Sequence, residues 1–497
     1  MAVATSEVQG PRQNGMESKT ASSSCEELSW TPDCDGHPRR WGRARKTYDT
    51  CWVIFLEFYT GKSSNHMFAA KLMLTLTKTP VAAHIHRDLG VSSIMATFLF
   101  VSTYLIGQAV GGIFLPPVSE SFGRKKLYVF STGIYSLSCV MVAAWPSIPG
   151  IVIGRFAGGL LSAIPTIVAA GSIEDLWDTQ ERVWWIFWWA MVANLGLLAG
   201  GVISDLIISY VHWKWVFYTA AIVNGCLTLV LLTIRESRPS VVLARSLSDV
   251  ERTGSREAPG AKPKKASYYE KLDILRPLRL LFTEPIVFLV SVISAIAFGL
   301  IYLFTEVLPT VYVSLGLNNG GKNTPFLALA LGIVASGLTR IYDARNLASR
   351  SAKGLPITPE SKLAGFHLGA PLLAGGLWCF AWTIPPSVFV HWVVPTAALV
   401  PVGYAVNEYD YVLGGYLTDC YQTYTASAFA ALGLTRALLC ATFPLLGNVL
   451  FHAVDPNKAS SIFAALATML CIVPPLLLRY GCKLRERMHS PKLVSSL

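Results

Sequence analysis

Apolar runs of about 20 residues, the length a helix needs to cross hydrocarbon, recur along this chain from Trp52 onward. They fall at about 51–78, 93–115, 127–145, 149–171, 184–208 and 215–234, then at about 284–307, 323–341, 364–384, 388–407, 426–450 and 459–480. A polar, basic stretch at 235–282 separates the two sets. The pattern predicts an all-α membrane protein with twelve transmembrane helices in two six-helix halves, 47–234 and 283–480. Residues 1–46 are polar and Ser-rich, are expected to be disordered, and hold no apolar stretch suited to a cleaved secretory signal. Residues 481–497 make a short tail at the other end.

Charge is scarce. Of the 497 residues 14% are charged and 53% hydrophobic, with a mean hydropathy of +0.47; soluble domains carry about 25% charged residues. A water-soluble chain this long would need more charge to cover its surface. That excludes a soluble enzyme, a nucleic-acid-binding domain and a disordered regulator as readings of the whole chain. The net charge of +11 needs no nucleic acid, because 32 of the 41 Lys and Arg residues lie on one side of the twelve-span topology. The positive-inside rule makes that side the cytoplasm, with both termini inside and the basic loops against anionic lipid.

Other chemistries lack their residues. The ten cysteines form no Cys-x-x-Cys pair, and the close pair His84 and His86 is too few ligands for a metal. No Walker motif offers ATP as an energy source. Neither a metal nor a cofactor is expected, and no nucleophile constellation points to an enzyme.

The motifs carry more. After span two the chain reads Pro117-Val118-Ser119-Glu120, then Gly123-Arg124-Lys125-Lys126, a tight basic turn in which Glu120 is expected to pair with Arg124. Span four contains Arg155 and four glycines, Gly154, Gly158, Gly159 and Gly171, suited to close helix contact, and ends at Asp175-Leu176-Trp177. Trp213-Lys214-Trp215-Val216-Phe217 opens span six and Glu236-Ser237-Arg238 follows it. Later come Glu284-Pro285, then Tyr416 to Asp419, Ala426-Ser427-Ala428, Arg436 and Phe443-Pro444-Leu445. In order and spacing this set resembles the major facilitator superfamily, and within it the twelve-span fungal drug:proton antiporters, over about residues 47–485.

The resemblance implies the major facilitator fold and a proton-coupled exporter of small amphipathic organic molecules, drugs or a specialised metabolite. Its partners are then a small organic substrate, protons and the bilayer, in a monomer of the plasma membrane or a vacuolar or vesicular one. Polyamine export and small-solute import by the same superfamily remain open, as does a non-transporting membrane sensor, though the tail at 481–497 is short for signalling. The candidates for proton coupling or substrate contact are Glu57, Arg155, Glu306, Asp419 and Arg436, with Asp419 and Arg436 placed in the span-eleven region. For Arg155 the alternative is an anchor for nearby carbonyls. Glu120, Gly123, Arg124 and Lys125 form the expected cytoplasmic gating turn. The tryptophans Trp184, Trp185, Trp188 and Trp189 suit an interfacial belt; Tyr302, Phe304, Trp378, Trp382, Tyr404 and Tyr409 are candidates for lining a cavity.

Two departures matter. The antiporters carry G-P-x-L-G-P-x-x-G-G in span five, where this chain keeps Gly196, Gly200 and Gly201 but neither proline; that leaves the direction of transport open. Residues 61–78 bring three lysines and a histidine into span one, and each charge at mid-bilayer costs about 2.5–3.5 kcal/mol. Since FLEFYT and TPVAAHIHRDLGVS would join without it, the segment reads as an insertion, such as a retained intron. Sequencing the transcript across codons 55–85 tests this: an interruption is expected, and an uninterrupted coding message removes the idea.

Overall fold

The computed structural model describes residues 37–76, 95–96, 98–243, 245, 275–317, 321–354, 362–385, 390–421 and 425–486. Twelve long helices fill them: α1 (Arg43–Leu76), α2 (Phe98–Phe122), α3 (Arg124–Ala144), α4 (Ile148–Leu176), α5 (Thr179–Tyr210) and α6 (Lys214–Leu231). The second set is α7 (Pro285–Ser314), α8 (Thr324–Ala352), α9 (Ala364–Thr383), α10 (Val393–Cys420), α11 (Thr425–Ala453) and α12 (Pro456–Gly481). Ten are long and apolar enough to cross a membrane, α1 and α10 not being among them. A short amphipathic helix, Arg276–Thr283, leads into α7.

The second half repeats the packing of the first. In the first, α1 lies on α5, α2 on α4 and α3 on α6; in the second, α7 lies on α11, α8 on α10 and α9 on α12. The halves meet along α2 with α11 and α5 with α8, which are again equivalent pairs six helices apart. Contact in hydrocarbon gains nothing from hiding apolar surface, so close helix pairs are lined by small residues. A Cβ on Gly159 of α4 would strike the Tyr104 carbonyl of α2, and one on Gly107 or Gly111 would strike Phe156 or Leu160. The same device joins α8 to α10, where Gly332 abuts the Val400 carbonyl and Gly403 the Leu329 carbonyl.

Two helices contain a π turn, Phe98–Ser102 in α2 and Ile164–Val168 in α4. Each leaves a carbonyl outside the regular ladder, and an arginine takes it. Arg155 Nε donates to Phe100 O at 2.9 Å and Arg124 Nη1 to Val168 O at 3.0 Å.

Three boundaries differ from the sequence reading. Residues 37–46, assigned there to a disordered tail, are packed: Lys46 Nζ donates to Arg39 O at 2.9 Å and Arg45 Nη2 to Thr233 O at 2.5 Å. Helix α1 therefore starts at Arg43, and residues 61–76 continue it as helix; the side chains of that stretch, and residues 77–94, lie outside the described residues. Helix α10 runs to Cys420, well past the expected end near 407. That places Asp419 on α10 and Arg436 on α11.

Gly159→Ala should lower the thermal stability of the purified protein by several degrees, since overpacking costs about 1–3 kcal/mol. Gly375→Ala in α9, where a Cβ meets nothing within 4 Å, should leave it unchanged or slightly higher. Fluorescence-monitored unfolding in detergent reads both.

Candidate functional site

A cavity of about 80 Å³ lies between the halves, bounded by α1, α2, α4 and α5 on one side and α7 and α11 on the other. Most of its wall is apolar, including Trp189, Phe298 and Phe429, with a few polar groups: Glu57, Thr60, Gln108, Thr166, Asn194, Tyr302 and Arg436. Trp189 sits there edge-on to Phe429 at 6.1 Å and is buried, so it is no part of an interfacial belt. Of the six aromatics expected at a cavity, Tyr302 alone lines this one. Trp378 and Trp382 face outward, Phe304 packs on Phe380 and Tyr409 on Phe366, and Tyr404 shares a hydrogen bond with Thr339.

Glu57 is buried, and its Oε2 accepts from the hydroxyls of Thr166 at 3.4 Å and Thr60 at 3.5 Å. Gln108 extends the chain by donating to Thr166 at 3.4 Å. Across the cavity Arg436 is ion-paired with Asp410 of α10 and donates to Ser294 from Nε at 2.9 Å and Nη2 at 2.7 Å. Its guanidinium also lies over the Phe298 ring, 3.9 Å from the centroid. The halves are joined here by amides. Asn194 of α5 donates to Asn407 at 3.1 Å and to Asp410 at 3.4 Å, and Asn407 donates to Ser336 at 2.8 Å. Asn194 belongs to the span-five stretch that lacks the prolines. Within the same stretch Gly196 lets α5 approach the Phe58 backbone of α1.

Arg155 stands outside the cavity wall. It is buried, bonds Phe100 O, and lies over the Tyr104 ring at 4.5 Å. The Glu306 side chain lies outside the described residues. Asp419 sits at the end of α10, bonded to Lys362 at 2.5 Å and to Arg182 at 3.4 Å, away from the cavity.

The turn between α2 and α3 is built differently from expectation. Gly123 has φ +93, a backbone conformation L side chains rarely adopt. The turn presents the Arg124 and Lys125 amides to Glu236, whose Oε1 and Oε2 accept at 2.8 and 3.1 Å. Arg124 is buried and pairs with Asp175 of α4 at 2.7 Å rather than with Glu120. Glu120 instead faces Arg276 of the short helix at 3.9 Å. The reason is distance along the chain: the helix ends at Phe122 and the turn aims Arg124 back beneath α4. At this same end Arg182 of α5 bridges Glu174 of its own half and Asp419 of the second, both at 3.4 Å.

A further ion cluster escaped the sequence reading. Arg340 of α8 pairs with Asp343 at 2.8 Å and with Glu408 of α10, all three buried. Ending span ten near 407 put Glu408 and Asp410 into a loop, and Arg340 was counted among loop cations. The seven-residue spacing of Tyr404 and Tyr411 across the polar stretch, two turns on one helical face, was the signal that α10 continues.

The sequence model of the Major Facilitator Superfamily matches residues 67–477. The MFS-type transporter penM of Penicillium rubens is 29% identical over 93% of this chain and 89% of its own length. The major facilitator superfamily multidrug transporter FLU1 of Candida albicans is 30% identical over 78% of this chain and 65% of its own. Among solved structures, the proton:xylose symporter XylE of E. coli superposes with a TM-score of 0.64 over 88% of this chain and 96% of that one, at 14% identity. With its repeated halves and the cavity between them, the chain belongs to the Major Facilitator Superfamily.

Proposed function

We propose that this chain is a proton-coupled exporter of small amphipathic organic molecules, drugs or a specialised metabolite, working by alternating access in the plasma membrane with both termini in the cytoplasm. The relatives named as multidrug transporters and efflux pumps support the export reading. The observation that carries it is Glu57. A carboxylate inside a membrane helix is costly unless it is paired or protonated, and Glu57 meets hydroxyls in a largely apolar cavity while Arg436 is committed to Asp410.

The cycle follows from that asymmetry. With the cavity open outward, water delivers a proton to Glu57 and the neutral acid tolerates the apolar wall. With the cavity open inward, a substrate that donates a hydrogen bond or carries positive charge favours the ionised form and displaces the proton to the cytoplasm. Trp189, Phe298 and Phe429 offer flat apolar faces to the rest of the molecule. With both termini in the cytoplasm, the end that Arg182 bridges between Glu174 and Asp419 is the inner one, so opening inward has to break that contact. A polyamine would want several carboxylates free of arginine. Among the described cavity groups Glu57 alone fits, which disfavours polyamine export.

Overexpression with a panel of toxic compounds and fluorescent dyes should lower their accumulation, and a proton uncoupler should abolish the effect. Export that persists without a proton gradient removes the antiport claim. Glu57→Gln should cut gradient-driven export at least tenfold at unchanged surface expression; full activity would take Glu57 out of the mechanism.

A further inference from the structure

The buried cluster on α8 and α10 contains one cation and two anions. Arg340 pairs with both Asp343 and Glu408, and all three side chains are 2% exposed or less. Among the described residues, no other charged side chain is ion-paired with either carboxylate. Glu408 Oε1, Asp343 Oδ1 and Arg340 Nε lack hydrogen-bond partners, while Asp343 Oδ2 meets Arg340 Nη1 at 2.8 Å. With both acids ionised the cluster carries one uncompensated negative charge, and burying such a charge costs several kcal/mol. One proton shared between Asp343 and Glu408 removes it, and supplies the donor that the unpartnered oxygens can accept.

We infer that the Arg340–Asp343–Glu408 cluster is a second proton-binding site of this protein, separate from the substrate cavity. It rests on the exporter reading for its role in coupling but not for its existence. The surrounding groups seal it. Helix α9 closes one side, where a Cβ on Gly365 would strike Glu408 and Arg340. The titratable neighbours on that helix and just before it face elsewhere: Lys362 bonds Asp419, and His367 Nδ1 bonds the Leu363 carbonyl at 2.9 Å. On α10, Tyr411 lies against Arg340 with its ring centroid 4.0 Å from the guanidinium, and Tyr404 is held by Thr339. The last seal comes from the other half. Phe187 of α5 meets Tyr411 edge-on at 6.0 Å. When the halves part along α5, Phe187 leaves with its own half and water reaches the cluster, so the proton held in the closed state is released as the cytoplasmic side opens. The two acids interact through one arginine and titrate as a pair.

The test uses the purified full-length protein in lipid nanodiscs and needs no substrate. Infrared difference spectra between neutral and alkaline buffer report the carbonyl stretch of each protonated carboxyl. Wild type should lose one signal from Glu57 and a second from the cluster. Glu57→Gln should keep the second, Glu408→Gln and Asp343→Asn should each lack it, and Glu57→Gln with Glu408→Gln should lack both. The inference is overturned if Glu57→Gln alone abolishes every protonated-carboxyl signal, or if Glu408→Gln and Asp343→Asn both leave the wild-type spectrum. The Glu57→Gln result decides the matter even where the cluster variants do not fold. In proteoliposomes with an imposed pH gradient, Glu408→Gln should also lower the number of protons taken up per molecule of rhodamine 6G expelled. Failure to expel the dye counts against the exporter reading and leaves the infrared result standing.

Discussion

Close contact between backbones holds this protein together. Hydrocarbon offers no reward for hiding a leucine, so helices associate where their surfaces fit and nothing protrudes. Gly107, Gly111 and Gly159 give α2 and α4 that fit, and Gly332 and Gly403 give it to α8 and α10. The two crossings are equivalent under the six-helix repeat. Each half is thus a rigid unit on its own account, and the cavity lies where two such units meet through fewer contacts. The same division explains why polar residues gather at the seam. Asn194, Asn407 and Asp410 find partners there, whereas the outer faces present Leu, Ile and Phe to lipid.

Much of the architecture was legible in the sequence, because hydrophobic length is a direct record of bilayer thickness. The repeat and ten of the spans follow from it. It failed where function interrupts it. Helix α10 crosses a polar stretch, Asn407 to Tyr411, in which Asn407, Glu408 and Asp410 find partners on α5, α8 and α11; hydropathy along the sequence cannot register partners on other helices. The same blindness moved Arg340 into a loop and paired Glu120 with Arg124 because they are neighbours in sequence. Glu57 and Arg436 were legible because each is an isolated charge within an otherwise apolar run. Gly123 was legible because a tight turn needs a residue without Cβ.

The intramembrane charges sort by their partners. Arg436 with Asp410, and Arg340 with its two acids, each stay within the second half, whereas Arg182 with Asp419 spans both. Pairs inside a half travel with it and keep their partners through a rocking motion. Contacts between halves are the ones a conformational change must exchange. The span-five departure adjoins this second group: Ala193 and Leu197 stand where the motif has proline, and between them Asn194 reaches across to Asn407 and Asp410.

The π turns have a consequence for the cavity wall. A π turn takes in an extra residue compared with an α turn, and one residue corresponds to about 100° of rotation about the axis. The turn Ile164–Val168 lies inside α4, and its Thr166 and Ile167 line the cavity. Were it regular, the residues after it would swing by that angle relative to Ile148–Ala163. Asp175 would then turn away from Arg124, which it now meets at 2.7 Å. Arg124 also takes the Val168 carbonyl, so one side chain outside the cavity holds both the irregular turn and the acid beyond it.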